Sequence, residues 1–130
     1  VLFQGSLPRH EAYKWLKIAD VTVDPLRKKA STEIVVSNKF LEYMAAGKAV
    51  IASDLAGHRE IIRDGYNGLL FKANDAADLT DKISSLIKSK SSLRQLESNA
   101  RKDFVDRFCW ERQESKILDV YAKILGTLRK

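Results

Sequence analysis

Asn38-Lys39-Phe40-Leu41-Glu42-Tyr43-Met44-Ala45-Ala46-Gly47-Lys48-Ala49-Val50-Ile51-Ala52-Ser53-Asp54 is the stretch whose reading decides the fold. Asn38 is of a residue type that caps helix starts, and Gly47 of one that stops helices, so the spacing predicts a helix from Asn38 to about Ala46. Ala49-Val50-Ile51-Ala52 is almost wholly apolar, which suits a parallel strand covered on both faces. Upstream, Asp20-Val21-Thr22-Val23-Asp24 is short and β-branched, and Pro25 ends it, which marks another strand. Downstream, a short helix over 57–63 closes at Asp64-Gly65, and Asn67-Gly68 turns the chain into a third strand, Leu69-Leu70-Phe71. Strands that alternate with helices imply βαβ units and a parallel sheet.

The flanks fill in the helices. Pro8 suits the opening of a helix, and Ala12, Trp15, Leu16 and Ala19 follow at helical spacing. Residues 25–37 read as a loop with a basic tip, Arg27-Lys28-Lys29, which as a charge run is first of all a solvated face. The tail carries three stripes of 3.6-residue period: Leu79, Ile83, Leu86 and Ile87; then Leu93, Leu96, Ala100, Phe104 and Phe108; then Ile117, Leu118, Tyr121, Ile124, Leu125 and Leu128. Val1-Leu2-Phe3-Gln4-Gly5-Ser6 resembles a viral 3C-type protease site with a cloning remnant, so residues 1–6 stand outside the fold and residues 7–130 form the domain. Three strands are few for a doubly wound sheet, so we expect these residues to be part of a larger one.

Composition excludes several classes. With 130 residues, 45% apolar and 31% charged, the chain is long enough for one packed domain and too apolar for disorder. No run of about 20 apolar residues exists to span a bilayer. One cysteine, Cys109, permits no intrachain disulfide or cysteine-based zinc site, and beside Trp110 it reads as a packed thiol. The balance of 23 Lys and Arg against 17 Asp and Glu, a net +6, is compatible with phosphate-bearing partners or anionic lipid. No nucleic-acid partner is expected, because aromatics are not interleaved with the basic residues as a stacking platform requires. Ala46-Gly47-Lys48 imitates the end of a P-loop, but Glu42 stands where the first glycine belongs and Ala49 where Ser or Thr belongs. His10 and His58 lack companions at metal-ligand spacing, so no metal is expected.

The stretch 38–54 resembles the nucleotide-sugar site of glycosyltransferase family 4. The likeness extends over about residues 10–125. Ala19 to Leu26 resembles the strand before the site. Gly57-His58-Arg59-Glu60 and the segment through Asn67-Gly68 resemble the family's Gly-x-x-Glu and Asn-Gly elements, and Phe108-Cys109-Trp110 resembles the start of its last helix. These are retaining enzymes of two Rossmann-like domains with a cleft between them. The resemblance therefore implies a partial Rossmann-like α/β domain, about three parallel strands flanked by helices with a helical tail. It would be the second half of the C-terminal, donor-binding domain.

The resemblance also assigns roles. The second glutamate of a Glu-x7-Glu motif binds the donor's ribose, and Glu42 holds that position. A carboxylate suits the task, because charged acceptors make the stronger hydrogen bonds. The diphosphate would lie at the helix start Ser37-Asn38-Lys39, where free N–H groups and the helix dipole favour an anion and Lys39 adds a charge. The first glutamate of the motif would fall at Ile34, which cannot hydrogen-bond a sugar. Glu33, one residue away, is the candidate for the donor sugar; alternatively, Asn38-Lys39 with Glu42-Tyr43-Met44-Ala45 resembles a branch of the family in which that glutamate is often absent. The substrate implied is a nucleoside-diphosphate sugar, with no redox cofactor and no metal. The chain alone is expected to be inactive, to pair through a bare sheet edge beside residues 20–24, and to work in the cytoplasm, in contact with the membrane face. Two alternatives remain open: a non-catalytic partner-binding module, and a nucleotide-sugar epimerase of the same architecture. Burial of the stripes over 93–128 separates the module from the enzyme.

Overall fold

The computed structural model describes residues 2–128, and the side chains of residues 2–126. Helix α1 (Arg9–Ile18) leads to β1 (Val21–Asp24), then α2 (Asn38–Ala45), β2 (Ala49–Ser53), the single turn α3 (Ala56–Arg59) and β3 (Leu69–Phe71). Three helices follow: α4 (Ala76–Lys88), α5 (Lys90–Asp103) and α6 (Trp110–Leu128), the last two joined by a π-helical turn, Phe104–Phe108. The strands form one parallel sheet in the order β1-β2-β3, with Val23 opposite Ile51 and Ile51 opposite Leu69. The α/β class, the three parallel strands and the flanking helices are as the sequence predicts.

Strand β2 is buried along its whole length because both its faces are covered. Val50 and Ala52 pack with Phe40 and Met44 of α2, Ile61, Ile62 and Ala100. Ala49 and Ile51 point the other way, toward Phe71, Leu86 and Leu96. The alternation follows from the period of two along a strand, and helix α5 serves both faces, Ala100 on one and Leu96 on the other. In β1 the pattern is reversed from simple hydropathy. Thr22 and Asp24 are buried and the two valines only half-buried. Thr22 satisfies its hydroxyl by donating to the Ala49 carbonyl at 2.9 Å.

Some boundaries differ from the expectation. Ser37, not Asn38, sits at the N-cap of α2, and its side chain makes no capping bond. The helix over 57–63 shrinks to Ala56–Arg59. Buried Asn67 explains why. Its Oδ1 accepts from the Arg63 N–H at 2.7 Å, and its Nδ2 donates to the Ile61 carbonyl at 3.0 Å, so the backbone turns instead of continuing. Gly68 is required beside it, since a Cβ there would lie 2.8 Å from the Val50 carbonyl oxygen. The second tail stripe is buried at Leu96 and Ala100. The third is not: Ile117, Leu118, Tyr121, Ile124 and Leu125 are all exposed, and Leu128 lies outside the residues whose side chains are described.

Candidate functional site

The loop between β1 and α2 delivers the start of α2 to the carboxyl end of the sheet, the end at which parallel α/β sheets take their ligands. The N–H groups of Asn38 and Lys39 have no partner among the described residues, and the first bond of the helix is Phe40 N–H to the Ser37 carbonyl at 3.1 Å. Unpaired donors and the helix dipole make this terminus electropositive. Lys39 adds its ammonium there, drawn to the buried Asp24 carboxylate, 3.5 Å from Oδ1.

Glu42 lies one turn further along the same face of α2. Phe40 and Met44 are both fully buried, so the helix is anchored through its inner face and holds Glu42 on its outer one. Glu42 Oε1 accepts from Arg9 Nη2 at 3.0 Å and from the Tyr13 hydroxyl at 3.4 Å, both on α1. Its side chain keeps 41% of its surface exposed. A groove of about 640 Å³ opens beside it, walled by Leu16, Thr22, Val23 and Tyr43. Burial raises the Tyr43 hydroxyl above its ordinary pKa, helped by the negative charges of Asp24 and Glu42, so Tyr43 remains a neutral donor there.

Glu33 is drawn into the loop itself. Its Oε1 accepts from the Ala56 N–H at 3.3 Å, and its Oε2 lies 3.3 Å from Lys28 Nζ. The Gly57 N–H donates to the Glu33 carbonyl at 2.9 Å. The loop packs so closely on Gly57 that a Cβ there would meet the Val35 carbonyl oxygen at 2.3 Å. Ile34, Val35 and Val36 remain exposed on its outer side. The site thus gathers the α2 start, Lys39 and Glu42 along one face, while the Glu33 carboxylate is engaged at the head of α3. Among the described residues, no cluster of three or more His, Cys, Asp or Glu has the arrangement of a metal site.

Sequence reading missed one constellation. Asp103, buried at the end of α5, accepts from Arg63 at 2.5 Å, Asn67 at 2.8 Å and Arg107 at 3.1 Å. Burial by itself pushes this carboxyl up. The hydrogen bonds from Arg63 and Asn67, with the charges of Arg63 and Arg107, overcome that and hold it below the usual carboxylate range. The network ties α5 to the turn before β3 and so braces the sheet behind the site. Its members lie 36 to 40 residues from Asp103 except Arg107, and no local pattern announces them.

The chain is thus an α/β protein whose parallel sheet carries an electropositive helix start and a carboxylate at its carboxyl end. The chain belongs to the glycosyl transferases group 1 family, whose model matches residues 1–103. It is 32% identical over 124 residues to the alpha-maltose-1-phosphate synthase of Mycolicibacterium smegmatis, covering 91% of this chain and 31% of that protein. Among solved structures it is similar to a sucrose-phosphate synthase from Thermosynechococcus elongatus, with a TM-score of 0.83 at 24% identity over 97% of this chain and 30% of the other. It is also similar to Anabaena HepE in complex with UDP, with a TM-score of 0.77 at 20% identity over 88% of this chain and 30% of the other. At these identities the two structures support the fold. The chain spans less than a third of the length of the curated relatives it matches.

Proposed function

We propose that these residues hold the donor of a retaining glycosyltransferase of family 4, as the second half of its C-terminal domain. The donor is a nucleoside-diphosphate sugar, and the parent protein transfers its sugar to an acceptor. The observation that carries the reading is the joint placement of Glu42 and the α2 start on one helix face at the ligand-binding end of the sheet. Their separation of one turn matches the order ribose, then diphosphate. Glu42 accepts the ribose hydroxyls. The N–H groups at Ser37, Asn38 and Lys39 take the diphosphate, with Lys39 shifting between Asp24 and phosphate oxygen. Stabilising the diphosphate as it leaves, and fixing the donor's orientation, is the electrostatic and positional work of such a site. Glu33 reaches the donor sugar only by releasing the Ala56 N–H and Lys28, so Glu42 bears the larger share of recognition. The relatives' names support this: UDP accompanies HepE in its structure, and sugar-phosphate synthases share the family fold.

The surroundings of the site extend the proposal. No described helix is long and apolar enough to cross a membrane. The basic tip Arg27-Lys28-Lys29 beside exposed Ile34 to Val36 suits contact with an anionic membrane face in the cytoplasm. The outer edge of β1 has no strand partner among the described residues, and such edges pair with other chains. We expect a dimer by light scattering at high protein concentration; a monomer there would remove the edge-pairing proposal. The exposed stripe of α6 favours a second reading, in which the tail is an interaction surface.

Calorimetric titration with UDP, GDP and ADP tests the central reading. Glu42→Ala is expected to weaken the preferred nucleotide about 10- to 100-fold, the range for hydrogen bonds to a charged acceptor. Equal affinity in wild type and variant would overturn it.

A further inference from the structure

Glu42 is not held by its own helix. Arg9 donates through Nη2 to Oε1 at 3.0 Å and through Nε to the Tyr13 hydroxyl oxygen at 2.8 Å. Tyr13 in turn donates its hydroxyl proton to the same Oε1, at 3.4 Å. The three groups close a triangle on one carboxylate oxygen. Arg9 and Tyr13 are four residues apart and therefore share a face of α1. The guanidinium also lies 5.4 Å from the Tyr13 ring centroid, which keeps the two side chains together. No described residue bonds Oε2.

We infer that Arg9 and Tyr13 are positioning residues that fix the Glu42 carboxylate for a vicinal diol, occupying Oε1 and presenting Oε2. This rests on the ribose-binding reading of Glu42. A glutamate that keeps 41% of its side-chain surface exposed would otherwise sample several rotamers, and a ligand would have to select one. Two donors from a neighbouring helix select it beforehand, so less freedom is lost on binding. Helix α1 contributes no buried residue.

The test separates positioning from direct phosphate contact and from a structural role. Arg9→Ala, Arg9→Lys, Tyr13→Phe and Glu42→Ala are titrated with UDP and with 2′,3′-dideoxy-UDP, which lacks the diol. We expect Arg9→Ala and Tyr13→Phe to weaken UDP about two- to fivefold, the range of an exposed ion pair, with Arg9→Lys restoring part of the loss. None of the three should change the affinity for the dideoxy compound, because without the diol the aim of the carboxylate is irrelevant. Equal losses on both nucleotides would mean that Arg9 acts on the diphosphate or on the fold, and would overturn the inference. So would wild-type affinity in the Arg9 and Tyr13 variants while Glu42→Ala still weakens UDP. If wild type does not distinguish the two nucleotides and Glu42→Ala changes neither, the ribose reading falls and the inference falls with it.

Discussion

Helices α2 and α6 are both amphipathic by sequence, yet the protein treats them oppositely. Phe40 and Met44 of α2 are fully buried against β2, whereas Leu118, Tyr121 and Leu125 of α6 stay about 60% exposed. Periodicity states that a helix has an apolar face; it does not state what covers that face. In α2 the cover is the adjacent strand, four residues further along the chain. In α6 no described part of the chain provides it. The buried helix positions a site, and the exposed one offers a surface.

The sharpest way to break this contrast is to truncate one residue on each side of it. Phe40→Ala removes a fully buried aromatic from the core and should cost about 3–5 kcal/mol of stability, measured by urea denaturation. Leu118→Ala should change stability by no more than about 0.5 kcal/mol. A loss of several kcal/mol at Leu118 would mean that the α6 face is covered in solution, and its dependence on protein concentration would identify a second copy as the cover.

The Asp103 network gives an intermediate effect. Asp103→Ala removes one of the two acceptors of Asn67 Nδ2 and the carboxylate partner of Arg63 and Arg107, a loss of about 2–3 kcal/mol. The same carboxylate makes stability depend on acid. Its folded pKa is depressed, so its contribution is full above the unfolded value of roughly 4 and is lost as pH falls through the lower folded value. Thermal melts should therefore drop more steeply in wild type than in Asp103→Asn as pH goes from about 5 to 2. Parallel curves would show that the network does not carry charge-dependent stability.

A small effect is expected at the surface ion pair as well. Arg59 donates two hydrogen bonds to Asp54, at 2.6 and 2.7 Å, but both groups face water. Arg59→Gln should cost about 0.2–1 kcal/mol, and less at high salt.

What was legible in the sequence was local. The apolar run over 49–52, the stop at Gly47 and the Asn67-Gly68 turn each carry a short-range signal, and β2, α2 and β3 appear where those signals place them. Asn67 exceeded its signal: it reads as a turn residue and proves to be a fully buried hub with three hydrogen bonds. Glu42 was legible through its motif, but its clasp by Arg9 and Tyr13 was not, because a contact 29 to 33 residues distant leaves no periodic trace. Glu33 shows the converse. Proximity to the motif makes it a candidate, while its side chain turns back to the Ala56 N–H and Lys28. The start of α2 was misplaced by one residue, since Ser37 and Asn38 are both good caps and only the backbone angles choose between them.

The most direct measurement is a two-dimensional NMR titration of the isotope-labelled chain with UDP, GDP and ADP. The account predicts saturable shifts at residues 37–43 and at Arg9 and Tyr13, with little change across α6. Saturable shifts confined instead to the crevice of about 600 Å³ between Lys29, Phe71 and Asp75, with residues 37–43 unmoved, would contradict it.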